Sequence, residues 1–296
     1  MKSRVAVIGD LVIDHFYYHD LAIEKGGNYL LEGMKSQPGG VAGNIAFYLK
    51  QFGVEPVVFS AVGKDEEGKY LLSDLEKSGI KTEHIRIAEG KSGFLIVIVG
   101  SDGERTMLGS RGVANFYMPD SEEIISSSPS WIHVSGYMLL GRRGKEIWRE
   151  AVRAKRELGV NLSLGLEGMQ NVKIDVEEDA SIIFCNRMEF QMYFGSDYEA
   201  VAKKFKPTII VKSGPEGCYL LKDEVTRVEG VKTKIVKDTT GAGDLFDAAV
   251  ITSLLAGREI IDSCRTANYL ASVKVSKKGT RMNFGMSLLR KLFSSR

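Results

Sequence analysis

The sequence is poor in cysteine and histidine. It has no long uncharged apolar run, no excess of one charge, and neither of the two best-known glycine-rich phosphate loops. Its three cysteines, Cys185, Cys218 and Cys264, stand far apart without any CxxC spacing. An odd, scattered set excludes a disulfide framework and a zinc site, and reads as the reduced thiols of a cytoplasmic protein. Of the four histidines, His15 and His19 stand four apart beside Asp14 and Asp20, and surface or core roles are expected of them before metal binding. No apolar stretch is long enough to span a bilayer. The opening "MKSRVAVIGDLVIDH" is broken at Asp10 and Asp14 before a signal peptide could complete its apolar region, so neither a membrane nor export is expected. Forty basic and 38 acidic residues leave a formal charge of +2, which demands neither nucleic acid nor an anionic membrane as partner. A P-loop would need GxxxxGK[ST], and no window supplies it. The dinucleotide fingerprint GxGxxG fails where Phe246 takes the place of its third glycine, where close helix–strand packing would be lost. Internal repeats and low-complexity tracts are absent.

What is present is a chain of 296 residues, 44% hydrophobic and 26% charged, enough for one large core or two modest ones. Short apolar runs alternate with helical patterns over most of its length, which predicts an α/β fold around a mostly parallel sheet. Strands are expected at 5–9, 55–63, 131–136, 160–165, 181–186 and 208–214. Helices are expected at 43–53, 66–79 (with Tyr70, Leu71 and Leu75 inward), 143–158, 188–204, 241–256, 259–276 and 286–294. Two segments interrupt the alternation. Residues 12–38 are rich in glycine and proline, and 93–110 read as a hairpin around Ser101-Asp102-Gly103. Two such excursions could pair into a small sheet over a cleft, a lid of the kind that excludes water; ordinary surface loops are the other reading.

Chemistry concentrates at the ends of the expected strands. "DTTGAGDLFDAAV" (238–250) places Gly241, Ala242 and Gly243 just before an apolar helix. There free N–H groups and the positive end of the helix dipole can hold an anion without a lysine. Asp244 follows in the first turn. A carboxylate beside a bound phosphate is repulsive, which favours a chemical role for it, although an Asp-rich helix cap is the structural alternative. "PGGVAGNIA" (38–46) sets Gly40 and Asn44 at the start of a crossover helix, either for sugar hydroxyls or as a capped turn. Asp14 lies just past the first strand, where ligands of open α/β sheets gather. Asn186 and Glu189 could share a metal-bound water or form a capping box, and "KSGPEGC" (212–218) is a further strand-end glycine turn.

Taken together these segments resemble the ribokinase (PfkB) family of carbohydrate and nucleoside kinases over nearly the whole chain. "GGVAGNIA…SAVGKDEEGKYLLSDLEKSGI" is similar to the family's N-terminal signature, "DTTGAGDLFDAAV" to its C-terminal one, and "NRME" to its NxxE motif. The resemblance implies a single domain over 1–296, a three-layer αβα sandwich with a small β-sheet lid built from about 12–38 and 93–115. It implies ATP and Mg2+ as cofactors, and transfer of a phosphoryl group to a sugar or nucleoside. Asp244 matches the catalytic base, and Gly241, Ala242 and Gly243 match the anion hole. Asp14, Gly40 and Asn44 match substrate-holding positions, and Asn186 with Glu189 the pair that organises magnesium through water. Lys212, Ser213, Gly214 and Gly217 match the nucleotide-side turn, with Asn268 at the adenine pocket. Asp238 and Thr240, with Gly279, resemble the monovalent-cation (K+) site of some members. Arg105 and Arg111, on or beside the lid, could grip a carboxylate or phosphate of the acceptor, or simply be solvated. A sugar is preferred to a nucleoside. A catalytically silent sugar- or nucleotide-binding regulator is the alternative from another class, and a homodimer through the lid is an open expectation.

Overall fold

The computed structural model describes residues 3–19, 24–31, 33–100, 105–141, 143–169, 179–233 and 235–293. In chain order its elements are β1 (Arg4–Ile8), β2 (Val12–Tyr18), β3 (Lys35–Gly39), α1 (Val41–Gln51), β4 (Glu55–Gly63), α2 (Glu66–Lys77), β5 (Ile85–Ala88), β6 (Gly93–Val99) and β7 (Arg105–Ser110). Next come α3 (Ser121–Ser126), β8 (Trp131–Ser135), α4 (Gly136–Leu139), α5 (Gly144–Leu158), β9 (Asn161–Gly165), β10 (Ile182–Asn186), α6 (Arg187–Phe194), α7 (Tyr198–Lys204) and β11 (Thr208–Lys212). The chain continues through β12 (Gly217–Lys222), β13 (Glu224–Glu229), α8 (Ala242–Leu255), α9 (Ile260–Lys274) and α10 (Met286–Phe293).

A nine-stranded sheet in the order β13-β12-β11-β10-β9-β8-β1-β4-β5 forms the body. Its strands pair in parallel except for the β11-β12-β13 edge, which is antiparallel. Helices cover both faces, so the central strands are continuous apolar runs without polar alternation. β1 shows this directly: Val5 and Val7 join one core with α1, α2, α8 and α9, while Ala6 and Ile8 join the other with α5, α6 and α7. Helix α8 is buried from Leu245 through Ser253, on every side, as expected of a helix sandwiched between α1 and α9 instead of lying on the surface.

A second sheet of four strands, β3-β2-β6-β7, stands apart from the first. It is built from the two segments that interrupt the sequence pattern, with β2 and β6 parallel from Val12↔Gly93 to Tyr18↔Val99. The expected Ser101-Asp102-Gly103 turn lies outside the described residues. Because β2 leaves the end of β1 after three residues, this sheet rises from the carboxyl edge of the main one.

Two expectations need correction, and one element went unpredicted. The single helix over 188–204 is two, α6 and α7, divided at Gly195, whose φ of 93° ends the first, and at Asp197, whose side chain caps the second. Tyr70 is not inward; it is 45% exposed while Leu71 and Leu75 are buried. The hairpin β12–β13 was not foreseen, because "EVTRVE" alternates weakly and its tight turn uses Asp223 at φ 60° in place of a glycine.

Candidate active site

The carboxyl ends of β1, β8, β9, β10 and β11 face the N-termini of α1 and α8, and the candidate residues converge there. The entry to α8 fixes the geometry. Gly241 sits at φ 72°, and a Cβ on it would lie 2.3 Å from the Thr280 carbonyl oxygen, so only glycine fits both the left-handed backbone and the contact. The Ala242 N–H is taken by the Thr239 carbonyl at 3.2 Å. The amides of Gly243 and Asp244 follow in the first turn, where no intrahelical acceptor exists. Opposite, Gly40 (φ 85°) opens α1; a Cβ there would lie 2.4 Å from the Asp10 carbonyl oxygen.

Asn44, one turn into α1, joins these two helix starts. Its Nδ2 donates to Asp244 Oδ2 at 2.8 Å, and its Oδ1 accepts from Arg281 Nε at 3.0 Å. Since arginine can only donate, the amide orientation is fixed by this network. Arg281 is held in turn by Asp74 and lies over the Phe47 ring. Asn44 was expected to hold substrate hydroxyls. Each end of its amide makes one contact here, aligning the Asp244 carboxylate, and one N–H and one lone pair remain for a further partner. One carboxylate oxygen of Asp244 is therefore fixed by Asn44. Burial raises the Asp244 pKa, against the opposing Asn44 hydrogen bond and Lys212 charge.

Two more acids share this side. Asp14 on β2 is 4% exposed, and burial, reinforced by Asp10 and Asp244, raises its carboxyl to about 7 against the charge of Arg281. Asp10 is buried and raised likewise, and its Oδ1 has no partner among the described residues. Arg111 is not a solvated hairpin arginine. It is half-buried beyond the end of β7, with Nη2 on the Ala114 carbonyl and near Met138 Sδ, and its charge opposes the rise of Asp10. The side chain of Arg105 lies outside the described residues.

On the other side a cavity of about 720 Å³ opens beside Ala242, Gly243 and Asp244, lined also by Asn186, Glu189, Lys212, Gly214, Gly217 and Asn268. The capping-box reading of Asn186 and Glu189 holds: Glu189 N–H donates to Asn186 Oδ1 at 2.9 Å, and Asn186 N–H to Glu189 Oε2 at 2.8 Å. The box engages only Oε2 of the Glu189 carboxylate, and Glu189 lines the cavity, so capping and a further role are compatible. Lys212 lies deeper, with Nζ 2.9 and 3.0 Å from the two oxygens of fully buried Asp247. Burial would lower its pKa, but Asp247, Glu167 and Glu189 outweigh that and hold it above the ordinary lysine value. Ser213 is committed elsewhere, to Arg187 and to the Gly217 carbonyl. Asn268 ties α9 to β13 through the Val228 and Glu229 carbonyls.

Comparison with known proteins decides the family. The model of the pfkB family carbohydrate kinases matches residues 2–284. The chain belongs to the pfkB family of carbohydrate kinases. It is an ATP-dependent kinase, and the reading as a silent regulator is not favoured. The kinase is 32% identical to an uncharacterized sugar kinase of Archaeoglobus fulgidus over 243 residues, 79% of this chain and 96% of the other. Its fold superposes on Arabidopsis thaliana ribokinase complexed with ribose and ATP at TM-score 0.84 and 22% identity, covering 99% of each chain. It superposes equally on adenosine kinase from Sinorhizobium meliloti, at TM-score 0.84 and 22% identity, covering 98% of this chain and 99% of that one. The fold is ribokinase-like in either case.

Sequence reasoning missed Asp10, Glu167, Asp247 and Arg281. Asp10 follows a strand-end glycine and was within reach of the strand-end rule. Arg281 carried no local signal at all, because its role exists only through Asn44 and Asp74.

Proposed function

We propose that the kinase transfers the γ-phosphoryl group of ATP to a hydroxyl of an uncharged sugar. Asp244 removes the hydroxyl proton as the oxygen attacks phosphorus, the bond to the bridging oxygen breaks, and ADP leaves. In the anion hole at Gly241, Ala242 and Gly243, the N–H groups of Gly241 and Gly243 stabilise charge on the transferring group, while the Ala242 N–H stays with the Thr239 carbonyl and holds the turn in place. The observation that carries the reading is the Asn44–Asp244 contact. It fixes one oxygen of a half-buried carboxylate at the mouth of the nucleotide-sized cavity, beside first-turn amides.

Asp14 and the backbone at Gly40 hold acceptor hydroxyls, with Asp10 as a further acceptor. Three carboxyl groups on this side, against an Arg111 whose guanidinium is held by the Ala114 carbonyl and Met138, disfavour a phosphate or carboxylate on the acceptor. Lys212, Gly214, Gly217 and Asn268 line the nucleotide side. Mg2+ suits the donor set: a Glu189 carboxylate lines the cavity, and this cation keeps water and phosphate oxygens with only one or two carboxylates. Glu189 would hold it through water, and the ion would neutralise the phosphates.

A coupled ADP-release screen over neutral sugars, sugar acids, sugar phosphates and nucleosides tests the reading, with neutral sugars expected to turn over fastest. Faster turnover of nucleosides or sugar phosphates would replace the acceptor assignment. The raised carboxyls also predict a pH profile. Asp14 accepts hydroxyls on both oxygens, and with full charge, only when ionised, so kcat/KM, which reports the free enzyme, should be flat in alkali and fall as pH drops through about 7. A limb in the ordinary aspartate range near ~4 would show that Asp14 is not as desolvated as its setting requires.

A further inference from the structure

Lys274, the last residue of α9, is fully buried, and its Nζ donates to the Asp238 carbonyl oxygen at 3.0 Å. Asp238 opens the turn that leads into α8, the place where the resemblance put a monovalent cation. The donor set there is already engaged. Asp238 Oδ1 accepts from the Thr240 N–H at 2.9 Å and the Thr240 hydroxyl at 2.7 Å, and Oδ2 accepts from the Gly279 N–H at 2.9 Å. The Val275 carbonyl takes the amides of Lys237 and Asp238 at 2.7 and 3.2 Å, and the Lys274 carbonyl takes the Lys277 amide at 2.9 Å.

A potassium site needs several oxygens turned inward to replace the hydration shell. Carbonyls keep a second lone pair, so the ammonium decides the matter more than the amides do. A second cation beside Lys274 would meet a like charge in a buried region, where Coulomb repulsion is several times its value in water. The residues do not fit a monovalent cation. The ammonium also does that ion's electrostatic work: burial would raise the Asp238 carboxyl, but the Thr240 and Gly279 donors and the Lys274 charge together hold it below the usual range.

We infer that Lys274 is a positioning residue, a covalently attached cation that orders residues 238–241 and so makes the kinase independent of potassium. The route to the site is short. The Asp238–Thr240 turn sets the Thr239 carbonyl on the Ala242 amide at 3.2 Å, and a displacement of ~1 Å in a positioned site costs about 10²-fold in rate. The effect on turnover rests on residues 241–244 being the anion hole; the binding of a cation does not.

The test compares potassium chloride with tetramethylammonium chloride at equal ionic strength, reading both turnover and the unfolding temperature. The wild-type protein is expected to show the same values in both salts. Lys274→Ala, which opens space, should lose about 10²-fold in turnover in tetramethylammonium. Potassium should then restore part of the loss and raise the unfolding temperature. Lys274→Met, which fills the space without charge, should lose turnover with no such recovery. Potassium activation of the wild type by about tenfold with a potassium-specific rise in its unfolding temperature would overturn the inference. So would Lys274→Ala with undiminished turnover, or with a loss that no cation repairs. If neither variant folds, the wild-type salt comparison decides alone. If no acceptor turns over, the unfolding temperatures still decide the cation question, and the proposed function fails separately.

Discussion

Asp244→Asn is expected to lower kcat by ~10²–10⁴-fold, the usual worth of a positioned general base, with nucleotide binding close to that of the wild type. The amide has the shape of the carboxylate but cannot take the acceptor's proton. It can still meet Asn44 Nδ2 through its carbonyl oxygen, so the local packing is kept. A single helix-terminus contact contributes about 0.3–2 kcal/mol, or up to roughly 30-fold. The loss at Asp244 should therefore exceed that from displacing any one anion-hole amide. Single-turnover rates at saturating ATP and acceptor make the measurement, and a variant within about threefold of wild type would remove Asp244 from the chemistry.

Lys212→Met should have the largest effect on stability, about 3–5 kcal/mol, because it leaves the Asp247 carboxylate buried without its partner. Asp247 is fully buried and both its oxygens face the ammonium. The sign with pH follows. Alone in that site, Asp247 would have a folded pKa far above its unfolded value, so the variant would keep its stability in acid and lose it as pH rises. Denaturant unfolding of the wild type and the variant at acid and alkaline pH checks this. The deficit should shrink in acid, and adding Asp247→Asn should recover much of it. A deficit under about 1 kcal/mol at alkaline pH, the worth of an exposed pair, would mean that the pair is not sealed from water.

The parts of the molecule legible in the sequence are those with local signals. β1, β4 and β8 to β11 are short apolar runs, the form a strand takes when both its faces are covered. The small sheet was legible as two interruptions in one pattern, and the "DTTGAGD" run as glycines before an apolar helix. β12–β13 was not, because a sheet-edge hairpin carries half its residues polar. Tyr70 misled because it sits one position from Leu71 on a helix whose inward face is narrow. Within the site, Asp244 could be read from its place in the first turn of α8. Its partner could not: Asn44 is 200 positions away, and Arg281 reaches Asn44 across 237. Nothing short of the folded chain places three such residues in line.

Those separations have a consequence for when the kinase becomes active. Residue 44 leaves the ribosome long before residue 244 is made, and α8 has no exposed face on which to wait for α1 and α9. Contacts of such long range form late, since their loop-closure cost must be met before they contribute. The Asp244 carboxylate is thus aimed only once both ends of the fold have met. On refolding, phosphoryl transfer should return after the helical signal does, as a report that the last long-range contacts have closed. A half-made or half-folded chain keeps the "DTTGAGD" run in its sequence but lacks the Asn44–Asp244 contact that the folded chain makes.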